Sequence, residues 1–301
     1  MNYDFKKLQI QGGLRYDVRR ISTESMQTDE VDFLAFENSY ASLNYFLGGY
    51  YPVDNYKFRV NYSSGFRAPT TNEILSNGVH EGAIRYEIGN RDLKNEKASQ
   101  IDLSLEYEGE HLTFIVNPFL NTISDFIYLA PVDSLIEGNS VYVYSQTTAT
   151  LYGGEIQVHY HPHKIHWLHL ESAFSAVMAK DENGNSLPLI PANKINSKVK
   201  MELSSSKIFK LRSIFIQHVF RMGQDRTAVL ETKSAAYHLF NIGLNMEIQT
   251  KKEPLEINFG VNNLFNNQYI DHLSRFKSMG IPNLGIGVFA GIKLNFASQI
   301  Q

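Results

Sequence analysis

The sequence predicts an all-β chain, a transmembrane antiparallel β-barrel of which about twelve strands are present, and three observations lead there. Polar and apolar residues alternate in separate blocks along the chain. The connections between blocks are alternately short and long. Many blocks run past about 10 residues, longer than the usual five or six of globular strands and matched to a tilted membrane crossing.

The first block sets Leu8, Ile10, Leu14, Tyr16 and Val18 against Lys7, Gln9, Gln11, Arg15, Asp17 and Arg19. A period of two puts these sets on opposite faces of one strand. The last block sets Ile286, Val288, Ala290, Ile292, Leu294 and Phe296 against Gly287, Gly291, Lys293 and Asn295. The strands are expected near 7–19, 33–47, 56–66, 98–108, 111–127, 141–160, 165–178, 194–204, 208–220, 236–249, 254–264 and 285–296. Brief connections then fall at 49–55, 108–111, 161–164, 204–207 and 249–253, and long ones at 20–32, 66–97, 128–140, 179–193, 221–235 and 265–284.

Sorting of connections by parity is what an outer-membrane barrel needs, with tight periplasmic turns and long extracellular loops. A soluble sandwich has no reason for it. With the final strand descending into the periplasm, the chain is expected to begin at a periplasmic turn. Most of the nine prolines fall in connections, as a sheet requires. Pro118, inside Leu112–Leu120, predicts a bulge or a local break in the ladder.

Composition excludes several classes. No apolar run approaches the roughly 18 residues that a membrane-spanning helix needs, whereas a barrel strand turns only every second residue to lipid. The 19 Phe and 17 Tyr against a single Trp suit interfacial girdles. With no cysteine there is no disulfide framework, thiolate metal site or cysteine nucleophile. The net charge of −3 gives no support for a nucleic-acid partner. No basic and apolar leader follows Met1, so an exported barrel with this beginning is expected to be part of a longer chain. Residues 1–301 read as one architectural unit, without internal repeat or linker.

The segment Phe66-Arg67-Ala68-Pro69-Thr70, then Asn72-Glu73-Ile74-Leu75, Gly78-Val79-His80-Glu81-Gly82 and Tyr86 through Glu96, resembles the TonB-dependent outer-membrane receptors. Gly260-Val261-Asn262-Asn263-Leu264-Phe265-Asn266-Asn267-Gln268-Tyr269 is similar to their penultimate-strand motif, and the strand ending at Phe296 to their terminal one. The resemblance implies an energised importer in the outer membrane of a Gram-negative bacterium. Such a receptor has a barrel of about 22 strands around an amino-terminal plug, through which it meets TonB. This chain then corresponds to the carboxyl-terminal part of the barrel. Plug, leader and upstream strands are expected elsewhere, and a twelve-stranded closure stays open as the alternative. The partners implied are outer-membrane lipid, a metal complex or other small nutrient, the plug and amino-terminal barrel portion, and TonB through that plug. No cofactor is implied.

The 66–97 excursion is the longest and supplies the substrate-binding candidates Arg67, His80, Glu81, Arg85, Tyr86 and Glu87. In haem receptors of the family a histidine lies between a Phe-Arg-Ala-Pro box and an Asn-Pro-Asn-Leu box. His80 lies between Phe66–Pro69 and Asn90-Arg91-Asp92-Leu93, which lacks the proline. His80 with Glu81 also offers nitrogen and oxygen ligands to a metal complex, and a packed loop histidine is the plainer reading. His272 and Arg275, in the last long loop, are candidates for the same outer face. His159, His161, His163, His166 and His169 cluster around Pro162 and Lys164. Spacing of two makes a metal site sterically possible, but the topology places this turn away from captured substrate, and a solvated turn is expected.

Charges of the polar phase, Arg15, Asp17, Arg19, Lys57, Arg59, Asp102 and Glu106, are expected to line the lumen as ladders, because Lys or Arg facing lipid at midplane costs about 2–4 kcal/mol. No Gly-x-Ser-x-Gly, His-Glu-x-x-His or phosphate loop is present, and Gly285, Gly287 and Gly291 have the wrong spacing for a dinucleotide fingerprint, so no enzyme is expected. Three functions stay open: part of a receptor for an iron complex, haem or another scarce metal nutrient; a passive or adhesin-like barrel; and a soluble all-β binding module.

Overall fold

The computed structural model describes residues 2–5, 7–27, 32–79, 85–203, 209–250 and 254–294. The candidates His80 and Glu81 lie outside the described residues, as do Asn295 and Phe296. In chain order the first strands are β1 (Asn2–Phe5), β2 (Leu8–Thr23), β3 (Met26–Gln27), β4 (Asp32–Phe33), β5 (Phe36–Val53) and β6 (Tyr56–Arg67). The helix α1 (Thr71–Leu75), β7 (Asn77–Val79) and β8 (Arg85–Ile88) follow. Then come β9 (Glu96–Glu108), β10 (Leu112–Ile136), β11 (Asn139–Tyr160), β12 (Leu168–Asp181), β13 (Lys194–Glu202), β14 (Phe209–Arg221), β15 (Tyr237–Ile248), β16 (Leu255–Asn262) and β17 (Gly287–Leu294).

The long strands are the twelve expected ones, joined antiparallel in the order β2-β5-β6-β9-β10-β11-β12-β13-β14-β15-β16-β17. β1 adds to the outer side of β2, pairing Asn2 with Gln11 and Phe5 with Leu8. The first described residues are therefore a further strand, where a turn was expected. Among the described residues β1 and β17 do not pair, and the sheet is open. The described residues therefore do not show the twelve-stranded closure that stood as the alternative.

Register carries both phases of the alternation from strand to strand. One row runs Glu108, Thr113, His159, Glu171, Lys198, Gln217 and Asn241 across seven neighbouring strands. Another runs Tyr51, Phe58, Leu105, Val116, Ile156, Phe174, Ile195 and Phe220 across eight. A one-residue slip anywhere would exchange the faces from that strand on.

The apolar face is solvent-accessible on strand after strand. Leu14, Leu43, Val60, Leu103, Ile156 and Ile292 are all exposed, Leu14 at 79% and Ile292 at 70%. A continuous apolar belt of this kind has no place in water and suits hydrocarbon. No helix of the described residues is long and apolar enough to cross a membrane, a test that does not apply to strands.

The opposite face carries ion pairs instead of a core. Lys57 bridges Glu106 and Glu108 at 2.8 and 2.6 Å, Arg59 adds to Glu106 at 3.2 Å, and Asp17 takes Arg15 and Asn44, both at 2.7 Å. Asp102 accepts from Gln100 at 2.6 Å. Arg19, expected in these ladders, has no ion pair among the described residues. The buried hydrophobic residues gather at the long-loop end, as Ile21, Phe36, Tyr40, Ala68 and Ile74 in one cluster and Ala149, Ala179 and Leu187 in another.

Two details depart from expectation, the 128–140 connection and the length of the turn at 161–164. Residues 128–140 are not a loop. β10 and β11 continue as a hairpin closed by Glu137-Gly138, with φ of 52° and 77°. Positive φ at both central residues is the two-residue turn whose twist matches that of its strands. At about 3.3 Å per residue, the 25 residues of β10 extend roughly 80 Å, so the hairpin projects far past its neighbours. At Pro118 the expected local break in the ladder is present: pairing to β9 stops at Val116 opposite Leu105 and resumes at Phe119 opposite Asp102, while on the β11 side Pro118 faces Gly154 in register without a bulge. The bulges of β10 lie between Ile123 and Phe126 and between Val132 and Leu135. The turn expected at 161–164 extends to Trp167, because the Ile165 amide bonds Pro162 and the Leu168 amide bonds Ile165, two tight turns in succession. The long 66–97 connection holds α1, β7 and β8.

Ile101 tests the assignment of faces, lying on the apolar phase opposite Tyr62 and Leu120. Ile101→Arg is expected to destabilise the protein by about 2–4 kcal/mol in lipid vesicles, and Gln100→Arg, one residue away on the polar face, by far less. Urea unfolding followed by Trp167 fluorescence checks the difference, and equal losses would reverse the reading.

Candidate functional site

The long connections form the rim at one end of the sheet, and the 68–95 excursion is anchored there through Arg67. Its Nη1 donates to Glu73 at 2.8 Å and its Nη2 and Nε donate to Glu96 at 2.6 and 2.8 Å. Glu96 also accepts the Ile127 amide at 2.8 Å, which ties β9 to β10 just past the bulge. Glu73 in turn caps α1, taking the Thr70 amide at 2.7 Å while Thr70 Oγ accepts from the Glu73 amide. Arg67 is thus engaged by two carboxylates and holds the excursion onto the wall.

The return path is pinned as closely. The Gly89 amide bonds Ser76 and the Asn90 amide bonds Glu73. A Cβ on Gly89 would meet the Ile74 carbonyl carbon at 2.5 Å, so only glycine permits this approach. Gln146 exchanges bonds with the backbone of Lys94, and Arg91 donates to the carbonyls of Leu34 and Ala35.

β8 lies parallel to the projecting part of β11, with Arg85 to Ile88 opposite Ser140 to Val143. Glu87, buried at 3% exposure, accepts from Arg85 Nε at 2.8 Å and from the Tyr144 hydroxyl at 2.9 Å. Burial, with the Glu87 carboxylate beside it, pushes the Tyr144 hydroxyl up to about 12, so it remains a donor. Arg85 stands 5.5 Å over the Tyr142 ring, and the Tyr86 hydroxyl donates to Asn77 at 3.0 Å. Arg85 and Glu87 therefore form one group with Tyr142 and Tyr144, two residues of the expected 141–160 strand that were not read as site residues, while Tyr86 lies on the other side of β8 with Asn77.

His272 belongs to a second group. Its Nε2 lies 3.1 Å from Glu231 Oε1, and its Nδ1 lies 2.8 Å from Ser234 Oγ and 3.0 Å from Lys277 Nζ. These partners assign the tautomer, with Nε2–H donating to Glu231 and Nδ1 accepting. Burial and the adjacent Lys277 ammonium lower the imidazole below its ordinary range, outweighing Glu231 and Asp271. Nearby, Tyr237 donates to Asp271 at 2.6 Å and Asn283 accepts the Asp271 amide at 2.8 Å. His272 thus joins the 222–236 and 263–286 loops from inside. Arg275 is exposed and makes no ion pair among the described residues. Among them no hydrogen bond or ion pair joins the Arg85 group to the His272 group.

At the opposite end, the histidine-rich turn is not simply solvated. His159 and His169 are half-buried and stacked at 5.3 Å, and His161 contacts both at 5.7 and 5.8 Å. His111, overlooked in the sequence, joins through His161 and His163. Its position was readable in principle, since it borders the neighbouring short turn on the same end.

The sequence matches the family model described as TonB dependent receptor-like, β-barrel, over residues 1–264. The chain belongs to that family. Its members are outer-membrane transport receptors, not enzymes. Among solved structures the copper transporter OprC is 17% identical, with a TM-score of 0.79, covering 97% of this chain and 46% of its own. The FrpB iron transporter from Neisseria meningitidis, F3-3 variant, is 17% identical with a TM-score of 0.67, over 97% and 43% of the two chains. A double mutant of the Serratia marcescens hemophore receptor HasR, in complex with its hemophore HasA and heme, is 16% identical with a TM-score of 0.66, over 97% and 49%. This chain spans about half the length of these relatives, which share its fold.

Two outcomes are expected for the rim. Glu96→Gln weakens the Arg67 clasp by about 1–3 kcal/mol and speeds limited proteolysis within 68–95, while the rest of the sheet keeps its protection. For His272 the folded value lies below the unfolded one, so stability is present above the ordinary histidine value of about 6.5 and is lost as pH falls below it. Amide protection in 222–236 and 263–286 should fall between about pH 7.5 and pH 5.5, and His272→Gln should flatten that dependence.

Proposed function

We propose that this chain is the carboxyl-terminal wall of an outer-membrane receptor that imports a scarce metal nutrient, an iron complex, haem or another metal, with energy delivered from TonB through a plug carried elsewhere in the protein. The observation that carries the reading is the family match over residues 1–264 together with the outward apolar belt. The printed descriptions of its structural relatives, a copper transporter, an iron transporter and a hemophore receptor bound to heme, support a metal-bearing cargo.

In this reading the ligand meets Arg85, Tyr86 and Arg275, with His80 and Glu81 on the same excursion as Arg85. Arg85 is steered by the buried Glu87 and stands over Tyr142, which presents a cation and aromatic rings to an anionic chelate or porphyrin carboxylate. Arg67 and His272 act behind it, holding the loops that carry the ligand-facing residues.

The test uses the whole receptor in cells starved separately of iron, haem and copper. Its deletion should abolish uptake of one of these nutrients, and a protonophore should stop that uptake. Uptake that persists after the gradient collapses would favour a passive pore, and recovery of the protein without detergent would sink the membrane reading. Arg85→Ala with Arg275→Ala is expected to weaken nutrient binding about tenfold or more, with the amount in the outer-membrane fraction unchanged.

A further inference from the structure

We propose that His159, His161 and His169 bind a divalent late transition-metal ion of the zinc, copper or nickel class, on the polar face of the wall at its short-turn end. Each offers one ring nitrogen, and those three atoms lie within 4.8 Å of one another. His159 faces Glu171 in the ladder of β11 and β12, and His169 faces Lys200 in that of β12 and β13. The rigid sheet therefore sets two of the three ligands, and His161, one residue past the end of β11, completes the group.

His159 Nε2 and His169 Nδ1 are 3.0 Å apart. Two Zn–N bonds of about 2.0–2.1 Å at a tetrahedral angle hold their nitrogens roughly 3.3–3.4 Å apart. The pair thus opens by only a few tenths of an ångström to admit an ion, and the His161 ring closes onto it. The fourth position stays open to water or to a ligand carried by the metal.

His169 contributes the observation that points most directly to a metal. With Nδ1 turned to His159, its Nε2 is buried without a hydrogen-bond partner, 3.6 Å from Glu202 Oε2. Glu202 is itself held by Lys200 at 2.7 Å. A carboxylate behind the far nitrogen of a ligating histidine fixes its tautomer and raises its basicity. Pulling the His169 ring onto an ion brings that unpaired N–H under the control of Glu202, which is a positioning residue here. An all-imidazole set suits zinc, copper or nickel and not the hard oxygen-seeking cations. Beside His159 the polar row continues as a concave stretch lined by Thr113, Gln157, Glu171, Lys198 and Gln217, which leaves the site reachable from the wall.

Binding rests on this geometry alone. Only the placement of the site at a periplasmic mouth rests on the proposed transport function, so failed uptake would leave the metal site standing, and failed binding would leave the transporter standing.

The folded full-length protein in detergent, stripped with a chelator, is titrated with Zn²⁺ by calorimetry at about pH 7.5 and pH 5.5. One ion per chain is expected at the higher pH, with weaker binding at the lower as protons compete for the imidazoles. His159→Ala with His169→Ala should lower affinity at least about hundredfold, Glu202→Gln about 10–100-fold, and His163→Ala, which turns to His111 instead, should leave it unchanged. No binding by the unsubstituted protein, or unaltered affinity in the double variant, overturns the site. Should the double variant fail to fold, Co²⁺ loaded into the unsubstituted protein decides: intense tetrahedral ligand-field bands support it, and weak octahedral bands overturn it.

Discussion

Backbone hydrogen bonding governs this molecule. In hydrocarbon no water replaces a missing partner, and each unsatisfied N–H or C=O costs several kcal/mol. The chain answers with long antiparallel ladders, and pairing at that length locks the register. Once locked, register decides which side chains meet lipid and which meet the polar interior. The continuous rows from Tyr51 to Phe220 and from Glu108 to Asn241 are consequences of that constraint, and the near absence of a buried core within the wall is another. Among the described residues the outer edges of β1 and β17 have no partner strand, and there the same constraint is left unmet.

The two ends of the wall are built differently. At the long-loop end, chain that leaves the sheet must find its own partners, and it does so with capped turns, buried carboxylates and small apolar clusters. Glu73, Glu96, Glu87 and Glu231 each accept several donors, which ties the irregular connections to the wall through largely buried, hydrogen-bonded carboxylates. At the short-turn end the connections are nearly spent in reversing direction. Side chains near the turns of adjacent hairpins are crowded together there, and six histidines meet as a result.

Several roles were legible before any coordinates. The Thr70-x-x-Glu73 spacing ahead of Ile74 and Leu75 is a capping signature that went unused in reading the sequence, and both bonds of that box form at the start of α1. Of the candidates in the longest connection, Arg85 and Glu87 are hydrogen-bonded to one another, whereas Tyr86 is bonded to Asn77. Arg67 and His272 read as ligand contacts because charge and aromatic nitrogen in loops carry that suggestion, yet their partners lie 29 and 41 residues away, beyond any local pattern. The hairpin at 128–140 was missed because its Pro131, Asp133 and Ser134 resemble a loop, while pairing along β11 overrides that composition.

The sequence by itself determined the long strands, the two faces and the sorting of connections other than 128–140, because each is written at a period of two or as a local run of turn residues. Tertiary structure alone decided that β1 continues the sheet before the first expected strand, that the sheet stays open, and which carboxylate holds which base. It alone brought His111 and His169 to the same turn as His161. Those facts depend on which strands become neighbours and in what register, and the free energy that chooses them comes from ladders whose two sides are far apart along the chain.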